Sequence, residues 1–196
     1  MLLRSLFLCL FFSLLAGCGE QQLPSPFQAG DVTAKYLHAD FQLNDAATGN
    51  PVSLKDFRGK VVVMFFGYTH CPQVCPTTLA ELAHMMRLLG KDADRVQVLF
   101  ITLDPERDTK ELMAKFPSAF YPAFKGLYGD AAATAAAAKA FGVTYEKHMN
   151  KDGSYELDHS AGTYFIAPRG QPILLSPFWQ HSDSWVQDVR LLLSFK

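Results

Sequence analysis

The feature that most constrains the fold is an uninterrupted apolar run, Val61-Val62-Val63-Met64-Phe65-Phe66, which leads directly into a pair of cysteines. An apolar run without alternation indicates a strand that is buried on both faces, as in the middle of an α/β sheet covered by helices. Cys71 and Cys75 follow shortly after this run, with prolines next to both. The sequence therefore predicts an α/β domain with a thiol pair at the mouth of a central strand.

The segments around this strand predict the order strand, helix, strand, helix, hairpin, helix. Strands are expected at 41–43, 52–54, 61–66, 96–103, 163–166 and 173–175, and helices from Pro76 to Gly90, at 110–116, at 131–140 and around 185–192. The pair Asp152-Gly153 is a hairpin turn signal. This order is typical of a thioredoxin-like three-layer sandwich with a central mixed sheet.

The N-terminus has the pattern of a secretory leader. Its apolar segment, 6–16, is too short for a bilayer span of about 20 residues, so it indicates a signal peptide. It ends in Leu15-Ala16-Gly17-Cys18, which resembles the lipobox of bacterial lipoproteins. That resemblance implies cleavage before Cys18 and a lipid on its sulfur. An uncleaved membrane anchor is the alternative, and either arrangement tethers the domain outside the cytoplasm.

The predicted organisation has three parts: a lipoprotein signal peptide at 1–17, a lipidated N-terminus and flexible tether at 18–40, and one domain at 41–196. We expect a periplasm-facing protein, lipid-anchored to a membrane of the bacterial cell envelope. The formal charge is -1, which becomes -2 when Arg4 leaves with the leader, and there is no basic run. A nucleic-acid partner is therefore not expected.

Only one pair of the four cysteines is expected to carry chemistry. Of four cysteines, Cys9 lies in the leader and Cys18 at the lipid position, which leaves Cys71 and Cys75. A bridge between them would close a very small loop and add little stability, so chemistry explains the pair better. At a helix entrance, backbone N–H groups and the helix dipole favour thiolate over thiol. Soft-metal binding and reversible redox chemistry both fit such a pair.

One of the six histidines is a candidate third ligand. They are His38, His70, His84, His148, His159 and His181. His159 precedes the predicted strand at 163–166, so we expect it at a strand mouth that faces the cysteine loop. Asp158 is expected to orient its imidazole. His84 is expected to be exposed, and His70 to do no more than raise the local potential.

Four segments resemble the signature blocks of the Sco/SenC family. They are Phe66-Gly67-Tyr68-Thr69-His70-Cys71-Pro72, Cys75-Pro76-Thr77-Thr78-Leu79, Leu103-Asp104-Pro105-Glu106-Arg107-Asp108-Thr109 and Asp158-His159-Ser160. Members of this family are thioredoxin-fold copper chaperones that assist assembly of the binuclear copper centre of cytochrome c oxidase. The resemblance implies a copper ion bound by Cys71, Cys75 and His159. It also implies the copper-centre subunit as a partner, with another periplasmic copper carrier as a further candidate.

Two details of these blocks have no assigned chemistry. Many members carry an acidic residue between the cysteines, where this chain has Gln73; the ligands are the same, but the charge beside them differs. The segment 104–109 matches the family, yet a loop that turns and caps the next helix explains it. The alternative for Arg107 is an ion pair with a carboxylate near the site.

Two main functions stay open at this stage. A metallochaperone would use both cysteines and His159, whereas a thiol–disulfide oxidoreductase that keeps partner cysteines reduced needs only Cys71 and Cys75, which would pair as a disulfide. A peroxidase is a third hypothesis, but the threonine and arginine that would accompany its reactive cysteine are not identifiable. Three residues separate the cysteines, where reductases usually have two, and no proline occupies the expected facing segment at 159–162. These features favour the chaperone.

Overall fold

The computed structural model describes residues 25–171 and 173–195. The predicted signal peptide and the lipid position at Cys18 lie outside the described residues, so both stay predictions. Within the described part of the chain, no helix has the length and apolar character needed to cross a bilayer.

Eight of the ten described strands form one mixed sheet. The strands are β1 Gly30–Asp31, β2 Leu43–Asp45, β3 Pro51–Val52, β4 Val61–Gly67, β5 Val96–Thr102, β6 Lys125–Tyr128, β7 Tyr145–Met149, β8 Tyr155–His159, β9 Gly162–Ile166 and β10 Ile173–Pro177. The sheet order is β1-β10-β9-β4-β5-β6-β2-β3, while β7 and β8 form a separate hairpin. Strand β4 pairs in parallel with β5 and antiparallel with β9, and β5 pairs in parallel with β6.

Five α-helices accompany the strands in the described residues. They are α1 Thr33–Tyr36, α2 Val74–Leu89, α3 Lys110–Lys115, α4 Ala131–Ala140 and α5 Ser182–Ser194, with 3-10 turns at Leu54–Phe57, Gly90–Arg95 and Pro117–Ala119. Side chains cap the N-terminal ends of two of these helices. Thr109 accepts a hydrogen bond from the Leu112 N–H, and Asp130 accepts one from the Ala133 N–H. Each of these side chains is an N-terminal cap, which pairs a backbone N–H that has no partner within the helix.

Helices cover both faces of the sheet. Phe165 of β9 packs against Trp185 of α5, with ring centroids 5.9 Å apart. Phe165 is paired with Val63, so α5 lies on the face to which Val63 points. Phe66 points to the opposite face and packs against Phe141, which follows α4. This is the predicted three-layer thioredoxin-like sandwich, and all seven residues of β4 are buried as the apolar run requires.

Most predicted elements are present with small shifts of their ends. The helix at 131–140 agrees at both ends, and the second buried strand agrees within one residue. Pro76 was expected as the first residue of its helix but is the third, because the helix begins at Val74. Strand β6 was not predicted, since Lys125-Gly126-Leu127-Tyr128 is short and lacks a clear alternation.

The expected flexible tether is wrong for residues 27–36. Gly30 and Asp31 pair with Leu175 and Leu174 at the edge of the sheet. Tyr36 is buried in the core. These contacts join parts of the chain that are about 140 residues apart, and no local pattern encodes them. The folded domain therefore begins well before residue 41.

Candidate thiol and histidine site

The two cysteines occupy different positions relative to the helix that follows β4. Strand β4 ends at Gly67, and Cys71 lies in the loop before α2. Cys75 is the second residue of α2, and its backbone N–H donates to the Cys71 Sγ at 3.3 Å. Both are free thiols, Cys71 half-buried and Cys75 fully buried. The helix entrance thus directs an N–H group at the outer sulfur, as the sequence predicted.

Gly67 allows Cys75 to lie directly against the end of β4. A Cβ at this position would lie 2.8 Å from the Cys75 Sγ and 2.8 Å from the Phe100 ring. Both distances are shorter than van der Waals contact allows. The absence of a side chain at residue 67 therefore determines how deeply the inner sulfur can sit.

His159 is the last residue of β8, and its ring reaches the inner cysteine. Its Nε2 is 3.9 Å from the Cys75 Sγ. Its Nδ1 lies 3.1 Å from the Ser160 carbonyl oxygen, which can only accept, so Nδ1 carries a proton. In the neutral ring, the Nε2 lone pair then faces the sulfur. The rings of Phe65 and Tyr68 pack beside the imidazole.

The predicted role of Asp158 in orienting His159 is wrong. Neighbouring residues of a strand point to opposite faces, and Asp158 points into solvent, where its carboxylate lies 3.0 Å from the His148 Nε2. The Ser160 backbone carbonyl orients the imidazole instead. A backbone acceptor does this as well as a carboxylate but adds no negative charge to the site.

The two thiols differ strongly in acidity. A hydrogen bond from the Cys75 thiol lowers the pKa of Cys71 to about 4, although partial burial opposes this shift, and His159 acts in the same direction as the bond. That same hydrogen bond, together with burial, raises the pKa of Cys75. At neutral pH the outer cysteine is therefore a thiolate and the inner one a thiol.

The other predicted histidines lie apart from this group. His84 is exposed on α2, as expected, and His38 lines a cavity at the opposite end of β4, beside Val62. His70 is half-exposed, with its Nδ1 3.1 Å from the Thr69 hydroxyl and 3.7 Å from Asp108. Among the contacts of the described residues, none joins the His70 ring to a cysteine sulfur.

The three candidate ligands are neighbours but are not preassembled. In the present arrangement, no group of three or more His, Cys, Asp and Glu side chains among the described residues could hold a metal ion. Cys75 and His159 already face each other. Cys71 lies outside the regular helix, so its side chain can turn without breaking the ladder of helical hydrogen bonds.

Sequence reasoning missed the buried acid beside the cysteine loop. The sequence explains the segment 104–109 as a loop that caps the next helix, and Thr109 provides that cap. The Asp108 carboxylate is buried and accepts hydrogen bonds from the Thr69 hydroxyl at 2.6 Å, the Thr69 N–H, and the Thr102 hydroxyl at 2.6 Å. The family-like segment 104–109 was the available signal, and its contact with the loop is a tertiary feature.

Fold and site together define a class of protein: a thioredoxin-like domain with an acidic outer thiol, a buried inner thiol and an imidazole on a separate hairpin. A family model described as SCO1/SenC matches residues 30–194. The chain belongs to this family.

Known relatives agree with this assignment. The mouse mitochondrial SCO2 homolog is 40% identical over 153 residues, which cover 76% of this chain and 58% of that protein. The zebrafish (Danio rerio) SCO2 homolog is 40% identical over 134 residues, which cover 67% and 48%. The chain thus spans about half the length of these curated relatives.

Solved structures show the same fold. Bradyrhizobium japonicum ScoI, whose structure has copper bound, is 40% identical, with a TM-score of 0.72 over 79% of this chain and 98% of that chain. The apo Sco1 protein of Thermus thermophilus is 41% identical, with a TM-score of 0.72 over 79% and 91%.

Proposed function

We propose that this protein is a copper chaperone that binds Cu(I) or Cu(II) through Cys71, Cys75 and His159. It would deliver the metal during assembly of the binuclear copper centre of cytochrome c oxidase. Thiolate sulfur suits Cu(I), and an added imidazole lets the same set bind Cu(II). The copper-bound structure of a relative that is 40% identical supports copper as the cargo.

The separation of the Cys75 Sγ and the His159 Nε2 carries this proposal. Ligand bonds of about 2.0–2.3 Å, as measured for zinc, put two donors of a tetrahedral site about 3.5 Å apart. The two atoms are 3.9 Å apart, so a shift of a few tenths of an ångström would bring both onto one ion. Cys71 completes the set from the loop side.

Transfer of copper is proposed to proceed by ligand exchange from the outer side. Cys71 is half-buried whereas Cys75 is fully buried. An incoming ligand of the partner can therefore displace Cys71 first. Cys75 and His159 would hold the ion until the partner supplies a second ligand.

The test compares Cu(II) and Cu(I) affinity of the mature protein with and without His159. His159→Ala removes one of three proposed ligands, so Cu(II) affinity should fall by more than the 10- to 100-fold typical of changes outside the ligand shell. Cu(I) affinity should change less, because both thiols are present. His84→Ala, in an exposed histidine of α2, is the matched control. Unchanged Cu(II) affinity in the His159 variant, with the protein folded, would contradict the ligand set.

Thiol–disulfide exchange is the second candidate function, and the difference between the thiols favours it. A thiolate at Cys71, with a pKa of about 4, is the attacking or leaving sulfur, and the buried Cys75 is the resolving one. As the partner disulfide is reduced, two electrons and the one proton of Cys75 leave the pair, and a second proton from solvent completes the two partner thiols. His159→Ala should leave this activity close to the parental rate, because the hydrogen bond from Cys75, the largest cause of the low Cys71 pKa, is kept. The variant therefore separates the two functions.

The proposed location is the periplasmic face of a bacterial envelope membrane, with Cys18 as the lipid-bearing residue. The copper-centre subunit of the oxidase is the proposed recipient, and another periplasmic copper carrier is the proposed donor. The leader sequence 6–16 and the Leu15-Ala16-Gly17-Cys18 pattern support the anchor.

A further inference from the structure

The segment 104–109, which turns before α3, contacts both halves of the site. On the cysteine side, Asp108 binds the Thr69 N–H and hydroxyl, two residues before Cys71. Because Asp108 is also bonded to Thr102 at the end of β5, it fixes the cysteine loop to the central sheet.

On the histidine side, the same segment holds β8. The Tyr155 hydroxyl donates to the Asp104 Oδ1 at 2.7 Å, and the Arg107 Nη1 donates to the Tyr155 carbonyl oxygen at 2.9 Å. Arg107 also forms an ion pair with Asp104 and lies 3.6 Å from the centroid of the Tyr155 ring. Tyr155 is therefore held through its hydroxyl, its carbonyl and its ring.

The Tyr155 hydroxyl stays a donor over the whole physiological range. Burial and the Asp104 carboxylate raise the pKa of Tyr155 to about 12. Asp104 is itself buried, and its backbone N–H donates to the Thr102 hydroxyl. The acceptor in this contact is thus fixed to the sheet, and the donor is fixed to the hairpin.

The other polar contacts of the hairpin are exposed or long. Strand β7 is exposed along its whole length, and β7 and β8 pair only with each other. The ion pair between Lys147 and Glu106 is exposed on both sides. The Leu157 N–H makes a long bond of 3.4 Å to the Tyr68 hydroxyl. His159 ends this hairpin, so its distance from Cys75 depends on how the hairpin is held.

We propose that Asp104, Arg107 and Tyr155 are positioning residues that keep the hairpin, and with it His159, at its working distance from Cys75. This inference rests on the proposed copper function and extends it. The cluster acts on the imidazole alone, so it sets the affinity for Cu(II), which needs the histidine, and leaves the affinity for Cu(I), which needs the two thiolates, nearly unchanged.

The test uses Tyr155→Phe in the mature, copper-free protein. This change keeps the ring against Arg107 and removes only the hydroxyl that binds Asp104. Amide hydrogens of 155–159 should exchange faster, while those of β4 should not change. Cu(II) affinity should then fall about 10- to 100-fold, as for other groups that orient a ligand. Cu(I) affinity should stay within about threefold.

Glu106→Gln is the matched control, because it removes the exposed ion pair between the same segment and the same hairpin and leaves Lys147 over the Tyr155 ring. It should leave exchange and both affinities unchanged. Arg107→Lys is the second variant; it keeps the charge beside Asp104 but loses the bond to the Tyr155 carbonyl, and it should reproduce the Cu(II) effect.

The outcomes separate this inference from the proposed function. Parental Cu(II) affinity in Tyr155→Phe, when His159→Ala lowers it, overturns the positioning role and leaves the ligand set intact. An equal fall of Cu(I) and Cu(II) affinity overturns it too, because general damage is then the cause. If His159→Ala does not change the affinity for Cu(II), the proposed ligand set is wrong. Unchanged amide hydrogen exchange at 155–159 in Tyr155→Phe would also refute the positioning role.

Discussion

At the scale of single residues, the site is built on the inequality of two thiols in one short loop. Cys71 receives hydrogen bonds and becomes the stronger acid, whereas Cys75 is enclosed by β4 and donates its own hydrogen. Two thiols with the ordinary pKa of about 8.5 would both be protonated at neutral pH. This pair holds one proton, so one sulfur is ready as a nucleophile or ligand without any change elsewhere.

The acidity of Cys71 predicts its reactivity. The pKa is lowered to about 4, so the thiolate is complete above about pH 5 and is lost as the pH falls through 4. Alkylation of Cys71 by iodoacetamide should therefore be nearly independent of pH from 5 to 8 and slow below 4. An unfolded thiol should instead accelerate about tenfold per pH unit up to about 8.5.

Mass spectrometry of the labelled peptide measures this rate. In Cys75→Ala the hydrogen bond from the inner thiol is gone, so the midpoint for Cys71 should move to higher pH. A Cys71 rate that climbs steadily from pH 5 to 8 in the parent protein would show that the loop does not stabilise the thiolate.

At the scale of elements, the end of β4 determines the depth of the site. The strand is buried over its whole length, and its last residue, Gly67, leaves room for the inner sulfur. The strand end and the first turn of α2 pack as one unit. Extra volume there has no free space to enter, because the Phe100 ring closes the other side.

Gly67→Ala should therefore disturb both packing and chemistry. Its methyl group would lie 2.8 Å from the Cys75 Sγ, and overpacking of this kind costs about 1–3 kcal/mol. The midpoint of urea unfolding should fall, and copper-free Cys75 should become accessible to alkylation.

Gly30→Ala is the control for this change, since the nearest atom to its Cβ is an ordinary 3.7 Å away. It should leave the unfolding midpoint and the Cys75 labelling as in the parent. Equal stability of the two variants would mean that the contact at residue 67 relaxes freely.

At the scale of the whole molecule, the segment before the predicted domain closes one side of the fold. The buried Asp188 carboxylate of α5 accepts the backbone N–H groups of Gln28 and Ala29 at 2.7 and 2.9 Å. Strand β1 then extends the sheet beyond β10. The described segment from Gln28 to Tyr36 is thus part of the folded domain rather than of a tether.

Asp188→Ala should release this segment. The N–H groups of Gln28 and the buried Ala29 would lose their acceptor. The buried one alone costs about 1–3 kcal/mol, and the Tyr36 peptide bond should become sensitive to chymotrypsin. Asp183→Ala, in an exposed acid of the same helix, should have neither effect. Resistance of the Asp188 variant to proteolysis would mean that β1 alone holds the segment.

The proposed lipid anchor at Cys18 can be tested in whole cells. Cys18→Ser removes the sulfur proposed to carry the lipid, so the chain should lose labelling by radioactive palmitate in cells. Comparison with Cys9→Ser, which lies in the leader, controls for effects on expression. Equal labelling of the Cys18 variant and the parent would exclude this residue as the acylation site.

Much of the fold and part of the site follow from local sequence alone. The apolar run of β4, the alanine helix α4 and the cysteine loop at a helix entrance are predictable, because periodicity, capping and turn residues act over a few neighbours. The sequence also identified Cys71, Cys75 and His159 as candidates through short motifs. These features need no knowledge of what the chain touches elsewhere.

Only the tertiary structure decided which groups meet. The pairing of β1 with β10, the short strand β6, the contact of Asp108 with Thr69 and the backbone acceptor of His159 all depend on segments brought together by folding. Such contacts are selected by the burial of the whole core, and a single residue carries little information about its distant partner. The presence of a reactive thiol pair at a helix entrance could therefore be predicted from the sequence. The acidity of each thiol and the distance to the imidazole depend on packing.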